Sequence, residues 1–195
     1  MGWEVSVNIR SSLRGECMVC KKFVSGLAFC ALSTLTHAAE PPCAGAEYRQ
    51  FDFWLGAWEV RTADGTLAGR NRITAAEQGC ALEERWQGSQ GNTGRSTNYY
   101  DPVADAWRQL WVSPGVIIDI SGGLDDGSMR LEGLITYTTA GEQRQFRGVW
   151  TPLDDGRVRQ FFEEQRGESG WQPWFEGFYS LSEPDAAAPS VDKSG

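Results

Sequence analysis

The chain has 195 residues, enough for one domain plus processing segments, and a formal charge of −8 with no basic run beyond Lys21-Lys22. That balance argues against nucleic acid and against an anionic membrane surface as partners. His37 is the only histidine, and the only lysine after Lys22 is Lys193, so His-based catalysis, His-ligated zinc or haem and Schiff-base chemistry have no residues to work with after position 38.

At the N-terminus, Lys21 and Lys22 precede a short apolar run at residues 23–35, and "THA" at residues 36–38 places small side chains where a signal peptidase cuts. The run is too short to span a bilayer. Residues 1–38 therefore read as a signal peptide that starts at Met18, with residues 1–17 as a mis-called start. The expected location is periplasmic or secreted, with no membrane span. Of five cysteines, only Cys43 and Cys80 lie beyond this segment. In an exported protein they are expected to form one disulfide.

Next comes "RQFDFWLGAWEV", residues 49–60. Phe51, Phe53, Trp54 and Leu55 form an apolar cluster placed to plug one mouth of whatever follows. Gly56 then lets the chain turn sharply into the first strand.

From Trp58 onward the pattern is almost all strand. Asp-Gly pairs at 64–65, 126–127 and 155–156 sit between β-type runs, as hairpin turns do. "YDPVADAW", "TAGEQ" and "RGESGW" supply further turns, and no capped helical period appears. Eight to ten strands in sequential hairpins predict an all-β fold, an up-and-down antiparallel β-barrel over residues 39–181. "GSQGNTG" and "GGLDDG" are expected as rim loops. The segment 182–195 has no apolar period and is expected to be disordered.

Alternation assigns the inner face, because successive strand side chains point to opposite sides. With charged residues outward, the inward sets are Trp58, Val60 and Thr62; Leu67, Gly69, Asn71 and Ile73; Leu82, Glu84 and Trp86; Trp107, Gln109 and Trp111; and Val158, Gln160, Phe162 and Glu164. In "GRSTNYYDP" the inward set is Ser96, Asn98 and Tyr100. Apart from Arg147, the arginines fall on outward positions. Amides and carboxylates thus interrupt an apolar inner face, where each needs a partner.

A barrel of about eight strands is just wide enough for one small ligand. The candidate ligand-binding residues are Asn71, Glu84, Trp86, Ser96, Asn98, Tyr100, Gln109, Trp111 and Gln160. Glu84 is expected to accept hydrogen bonds from Asn98, Gln109 or Tyr100. For catalysis, Glu83-Glu84 and Glu163-Glu164 are strand neighbours whose side chains diverge. The one candidate acid/base pair is therefore Glu84 with Glu164, on different strands. No metal and no cofactor is expected.

"RQFDFWLGAWEV", "NRI", "GCALEERWQG", "TGRSTNYYDPVADAWRQLWV", "LEG", "WTPLDDGRVRQ" and "FEGFY" occur in that order over residues 43–181. Together they resemble an uncharacterised bacterial family of exported, calycin-like domains that begin FDFWLGxW. The Gly56-x-Trp58 pattern is similar to the start of strand one in lipocalins. The resemblance implies a lipocalin-like barrel and no particular activity. Nitrobindin-type haem barrels are more distant by fold, and their histidine ligand has no counterpart here. The expected function is that of an exported binding protein holding a small, partly polar organic ligand in a polar-aromatic cavity. The alternatives are a cavity hydrolase or isomerase using Glu84 as acid/base, and a structural or interaction module. The oligomeric state is left open.

Overall fold

The computed structural model describes residues 41–182. The expected signal peptide and nearly all of the expected tail lie outside the described residues. Ten strands follow one another: β1 (Gly56–Arg61), β2 (Leu67–Ala76), β3 (Ala81–Gly88), β4 (Thr93–Asp101), β5 (Ala106–Ser113), β6 (Val116–Asp125), β7 (Ser128–Tyr137), β8 (Glu142–Pro152), β9 (Val158–Gln165) and β10 (Trp171–Leu181). Each pairs antiparallel with the next, and β1 pairs with β10, Trp58 opposite Leu181 and Val60 opposite Tyr179. The sheet is a closed up-and-down antiparallel barrel, which leaves no strand edge unpaired. Short 3-10 turns are the only helices among the described residues. None of them is long and apolar enough to cross a membrane.

The Asp-Gly turns form as expected, in two geometries. Asp126 (φ 46°) and Gly127 (φ 73°) make a two-residue loop between Asp125 and Ser128, the positive-φ pair that a type I′ turn requires. Gly65 and Gly156 instead close three-residue loops, and Asp64 and Asp155 accept the backbone N–H of Thr66 and Arg157 at 3.0 and 3.1 Å.

Strand direction alternates, so the β2–β3, β4–β5, β6–β7 and β8–β9 connections share one end of the barrel with the segment preceding β1. That segment is the plug. Phe51 and Trp54 are fully buried and stack at 5.0 Å, and Phe51 meets the edges of Trp107 and Trp150 at 5.6 and 5.3 Å. Phe53 and Leu55 are half-buried against this core. Gly56 has φ 149°, and a Cβ there would come within 2.8 Å of the Leu181 side chain. The Cys43–Cys80 disulfide, with Cα atoms 5.1 Å apart, ties the plug segment to the β2–β3 connection. "GGLDDG" is not the expected loop: β6 runs through Gly122 to Asp125, and only Asp126-Gly127 turn, at the plugged end; "GSQGNTG" lies at the other end, around the β3–β4 connection, as expected of a rim loop.

The inner face follows the predicted alternation except at the start of β2, where a register shift after Val60 sets Leu67 opposite the outward Arg61 and Ala68 packs against the core instead. Trp58, Val60, Asn71, Ile73, Leu82, Glu84, Ser96, Asn98, Trp107, Gln109, Val158, Gln160, Phe162 and Glu164 are all buried.

Candidate functional site

A polar arc crosses the barrel interior from β9 to β5. Glu84 sits at its centre, 3% exposed. Asn71 Nδ2 on β2 donates to its Oε1 at 2.6 Å, and the Ser96 hydroxyl on β4 donates to its Oε2 at 2.6 Å. Toward β5, Asn98 Nδ2 donates to Ser96 Oγ at 2.8 Å and Gln109 Nε2 donates to Asn98 Oδ1 at 2.7 Å. Toward β9, Asn71 Nδ2 also approaches the Tyr179 hydroxyl at 3.4 Å, and that hydroxyl donates to Gln160 Oε1. Cross-strand register builds the arc: Glu84 lies opposite Ser96, and Asn98 lies opposite Gln109.

Above the arc is a cavity of about 640 Å³. Glu84, Gln109, Gln160 and Tyr179 are its polar floor; Trp86, Trp111, Ile118, Phe162, Trp174 and Phe175 form its walls; Gln90, Asn92, Thr93 and Ser113 stand at its mouth. The mouth lies at the end opposite the plug, among the β3–β4 and β5–β6 connections.

Four of the wall rings lie over glycines. A Cβ built at Gly69, Gly94, Gly148 or Gly177 would approach Trp86, Trp111, Phe162 or Phe175 to 2.8, 2.0, 2.4 and 2.7 Å, respectively. A ring that rests on bare backbone is drawn back against the wall, and the space in front of it stays open. Trp174 reaches the cavity differently. The β9–β10 register shifts between Pro173 and Phe175, so Trp174 is an extra residue on β10. The bulge lets two consecutive side chains, Trp174 and Phe175, line one cavity.

Burial pushes the Glu84 carboxyl from its ordinary 4.5 up to about 7, against the opposing effect of the hydrogen bonds from Ser96 and Asn71. Burial also lifts the Tyr179 hydroxyl well above its usual value, and the charge of Glu84 adds to the shift. Glu164 is handled in the opposite way. It is fully buried, and burial alone would raise its pKa. The hydrogen bond from Tyr137 and the guanidinium groups of Arg166 and Arg144 outweigh burial and hold it below the ordinary carboxylate range. Tyr137 donates to it at 2.6 Å and Arg144 approaches it at 3.3 Å.

Of the predicted site residues, Glu84, Trp86, Gln109, Trp111 and Gln160 line the cavity. Asn71, Ser96 and Asn98 stand behind it, bonded within the arc. Tyr100 is elsewhere. Its ring packs edge-on to Tyr48 at 5.2 Å and its hydroxyl donates to Asp105, both at the plugged end. Accordingly, the donors to Glu84 are Asn71 and Ser96, not Asn98, Gln109 or Tyr100. Glu84 and Glu164 do not form a pair: Glu164 belongs to a cluster at the rim with Tyr137, Arg144 and Arg166. The inward arginine is Arg144, on the same face of β8 as Phe146; Arg147 pairs with Glu163 at 2.7 Å on the other face. Among the described residues, no three His, Cys, Asp or Glu side chains are grouped to hold a metal ion. Alternation did not reveal Trp174 and Phe175 as cavity residues. Pro173 inside a strand-like run was the available signal, because proline in a sheet marks an edge or a bulge.

No protein-family model matches the chain, and no curated protein matches it.

Proposed function

We propose that the protein is an exported binding protein that holds a small, partly polar organic ligand in the barrel cavity, and that it belongs with the calycin-like family whose FDFWLGxW opening it resembles. The observation that carries this reading is a cavity of about 640 Å³, plugged at one end and open at the other, in the volume range of small-molecule sites. Its walls are aromatic and its floor holds a few convergent polar groups, the usual division between affinity and orientation. The Cys43–Cys80 disulfide is compatible with an oxidising compartment outside the cytoplasm. Native mass spectrometry of protein purified from its own host tests the reading. The expected result is a co-purified small molecule that is lost on denaturation. A chain carrying none, and showing no thermal stabilisation by any small organic compound in a broad panel, counts against it.

The raised carboxyl of Glu84 favours a second reading, a cavity enzyme in which it moves a proton. That enzyme would work with one interior carboxylate, since Glu164 is bound to arginines at the rim. Turnover of a bound compound that stops in Glu84→Gln would select it.

A further inference from the structure

We infer that the ligand is an organic cation whose ammonium group sits against Glu84 inside the aromatic wall. This rests on the binding reading above and names the ligand class for the same cavity.

The first ground is charge. Of the described residues that line the cavity, only Glu84 and Tyr179 can ionise, and none is Lys, Arg or His. The groups that meet the Glu84 carboxylate are the neutral donors Asn71 from β2 and Ser96 from β4, with Tyr179 from β10 as the one titratable neighbour through Asn71. Arg144 and Arg166, at the rim of the open end, are bound to Glu164 at 3.3 and 2.5 Å. A carboxylate with two hydrogen bonds and no counter-charge is under-compensated in a low-dielectric site. A neutral ligand leaves it so, and an anionic ligand makes it worse. A cationic ligand supplies the missing charge.

The second ground is the wall. Trp86, Trp111, Trp174, Phe162 and Phe175 enclose the space that Glu84 faces. The faces of such rings are negative and attract an ammonium, tryptophan most strongly. Glycines hold four of these rings back against the barrel before any ligand arrives, which keeps the cost of organising the site low. The third ground is the mouth. Gln90, Asn92, Thr93 and Ser113 are uncharged, the rim arginines Arg144 and Arg166 are paired with Glu142 and Glu164, and the chain's net charge of −8 favours the approach of a cation.

The test uses a neutral fluorescent dye, N-phenyl-1-naphthylamine, bound to the purified full chain. It is displaced by phenethylamine or by the uncharged 2-phenylethanol. At about pH 8 the amine should displace the dye at a concentration about tenfold or more below that of the alcohol. The advantage should shrink toward about pH 5.5, below the raised pKa of about 7 of the Glu84 carboxyl, and vanish in Glu84→Gln. Near-UV circular dichroism shows whether Glu84→Gln keeps its fold; if it does not, the pH dependence of the wild-type chain decides alone. Dye binding with equal displacement by both compounds at both pH values overturns the cation and leaves the binding barrel standing. A dye that does not bind, with neither compound raising the melting temperature, overturns the binding reading and this inference with it.

Discussion

The two ends of the barrel are built from the same kind of residue to opposite effect. At the plugged end Phe51, Trp54, Trp107 and Trp150 pack ring against ring at 5.0–5.6 Å and are almost entirely buried. At the open end Trp86, Trp111, Phe162 and Phe175 each lie over a glycine, and a cavity of about 640 Å³ stands in front of them. Aromatic bulk therefore does not decide between core and cavity. What lies behind each ring does. A ring backed by another ring fills space, whereas a ring backed by glycine recedes into the wall.

The sharpest way to break that distinction is to remove one ring from each end. Trp54→Ala empties a fully packed site and should cost about 3–5 kcal/mol of stability by urea unfolding. Trp111→Ala removes a half-buried ring that already faces open space and should cost about 1–2 kcal/mol, with a much larger effect on ligand binding. Equal costs at the two positions would mean that the open end is packed as tightly as the plug.

The disulfide sharpens the comparison from the other side. Cys43 and Cys80 are 37 residues apart, and on chain entropy their bridge contributes about 3–4 kcal/mol. The double variant Cys43→Ser/Cys80→Ser should lose about that much while retaining ligand affinity well below its melting temperature, because the bridge fastens only the plugged end. Loss of binding in a still-folded variant would show that the plug shapes the cavity.

The two interior glutamates extend the contrast to pH. The Glu84 carboxyl is raised to about 7, so its contribution to stability is fully present below about 4.5 and is lost as pH rises toward 7, a decrease of about 3 kcal/mol. Glu164 is held below the ordinary carboxylate range; its contribution is present at neutral pH and is lost as pH falls through its lowered pKa. The two windows lie on opposite sides of the ordinary value. Urea unfolding from about pH 3 to about pH 8 should flatten above pH 5 in Glu84→Gln and below pH 5 in Glu164→Gln. A wild-type profile level between about pH 5 and about pH 7 would contradict the burial of an uncompensated Glu84.

Why Glu84 and Glu164 differ was only half legible from the residues. Parity put both on the inner face, and both are there. Parity does not report height along the barrel. Glu164 is the second-last residue of β9, at the rim within reach of Arg166, whereas Glu84 lies mid-strand on β3. Tyr100 shows the same limit: it lies near the plugged end of β4, where Tyr48 and Trp107 occupy the space it faces. Arg144 shares parity with Phe146, Gly148 and Trp150, so the inward arginine was readable once β8 was given a register. Trp174 and Phe175 break parity itself, through the bulge after Pro173. The glycine–ring pairs depend on cross-strand register, which no single run of residues contains. The plug and the strand faces were readable because each is local.

The smallest expected change in stability isolates the glycine–ring principle. At Gly94 the atoms nearest a Cβ would all belong to the Trp111 ring, the first at 2.0 Å. That ring is a side chain with open cavity in front of it, so Gly94→Ala can be accommodated by a swing of the indole into the cavity. Gly94 is within β4 and has no positive φ, so alanine introduces no backbone strain and removes some freedom from the unfolded chain. The net change should be within about 1 kcal/mol. The displaced indole takes up volume the ligand needs, so affinity should drop while the melting temperature hardly moves. Gly69→Ala is the control. Its Cβ would lie 2.4 Å from the Gln87 carbonyl oxygen as well as 2.8 Å from Trp86, so the β2–β3 backbone itself must shift, and stability should fall along with binding. If Gly94→Ala keeps full affinity, Trp111 does not border the ligand, and the wall assigned to that side of the cavity is wrong.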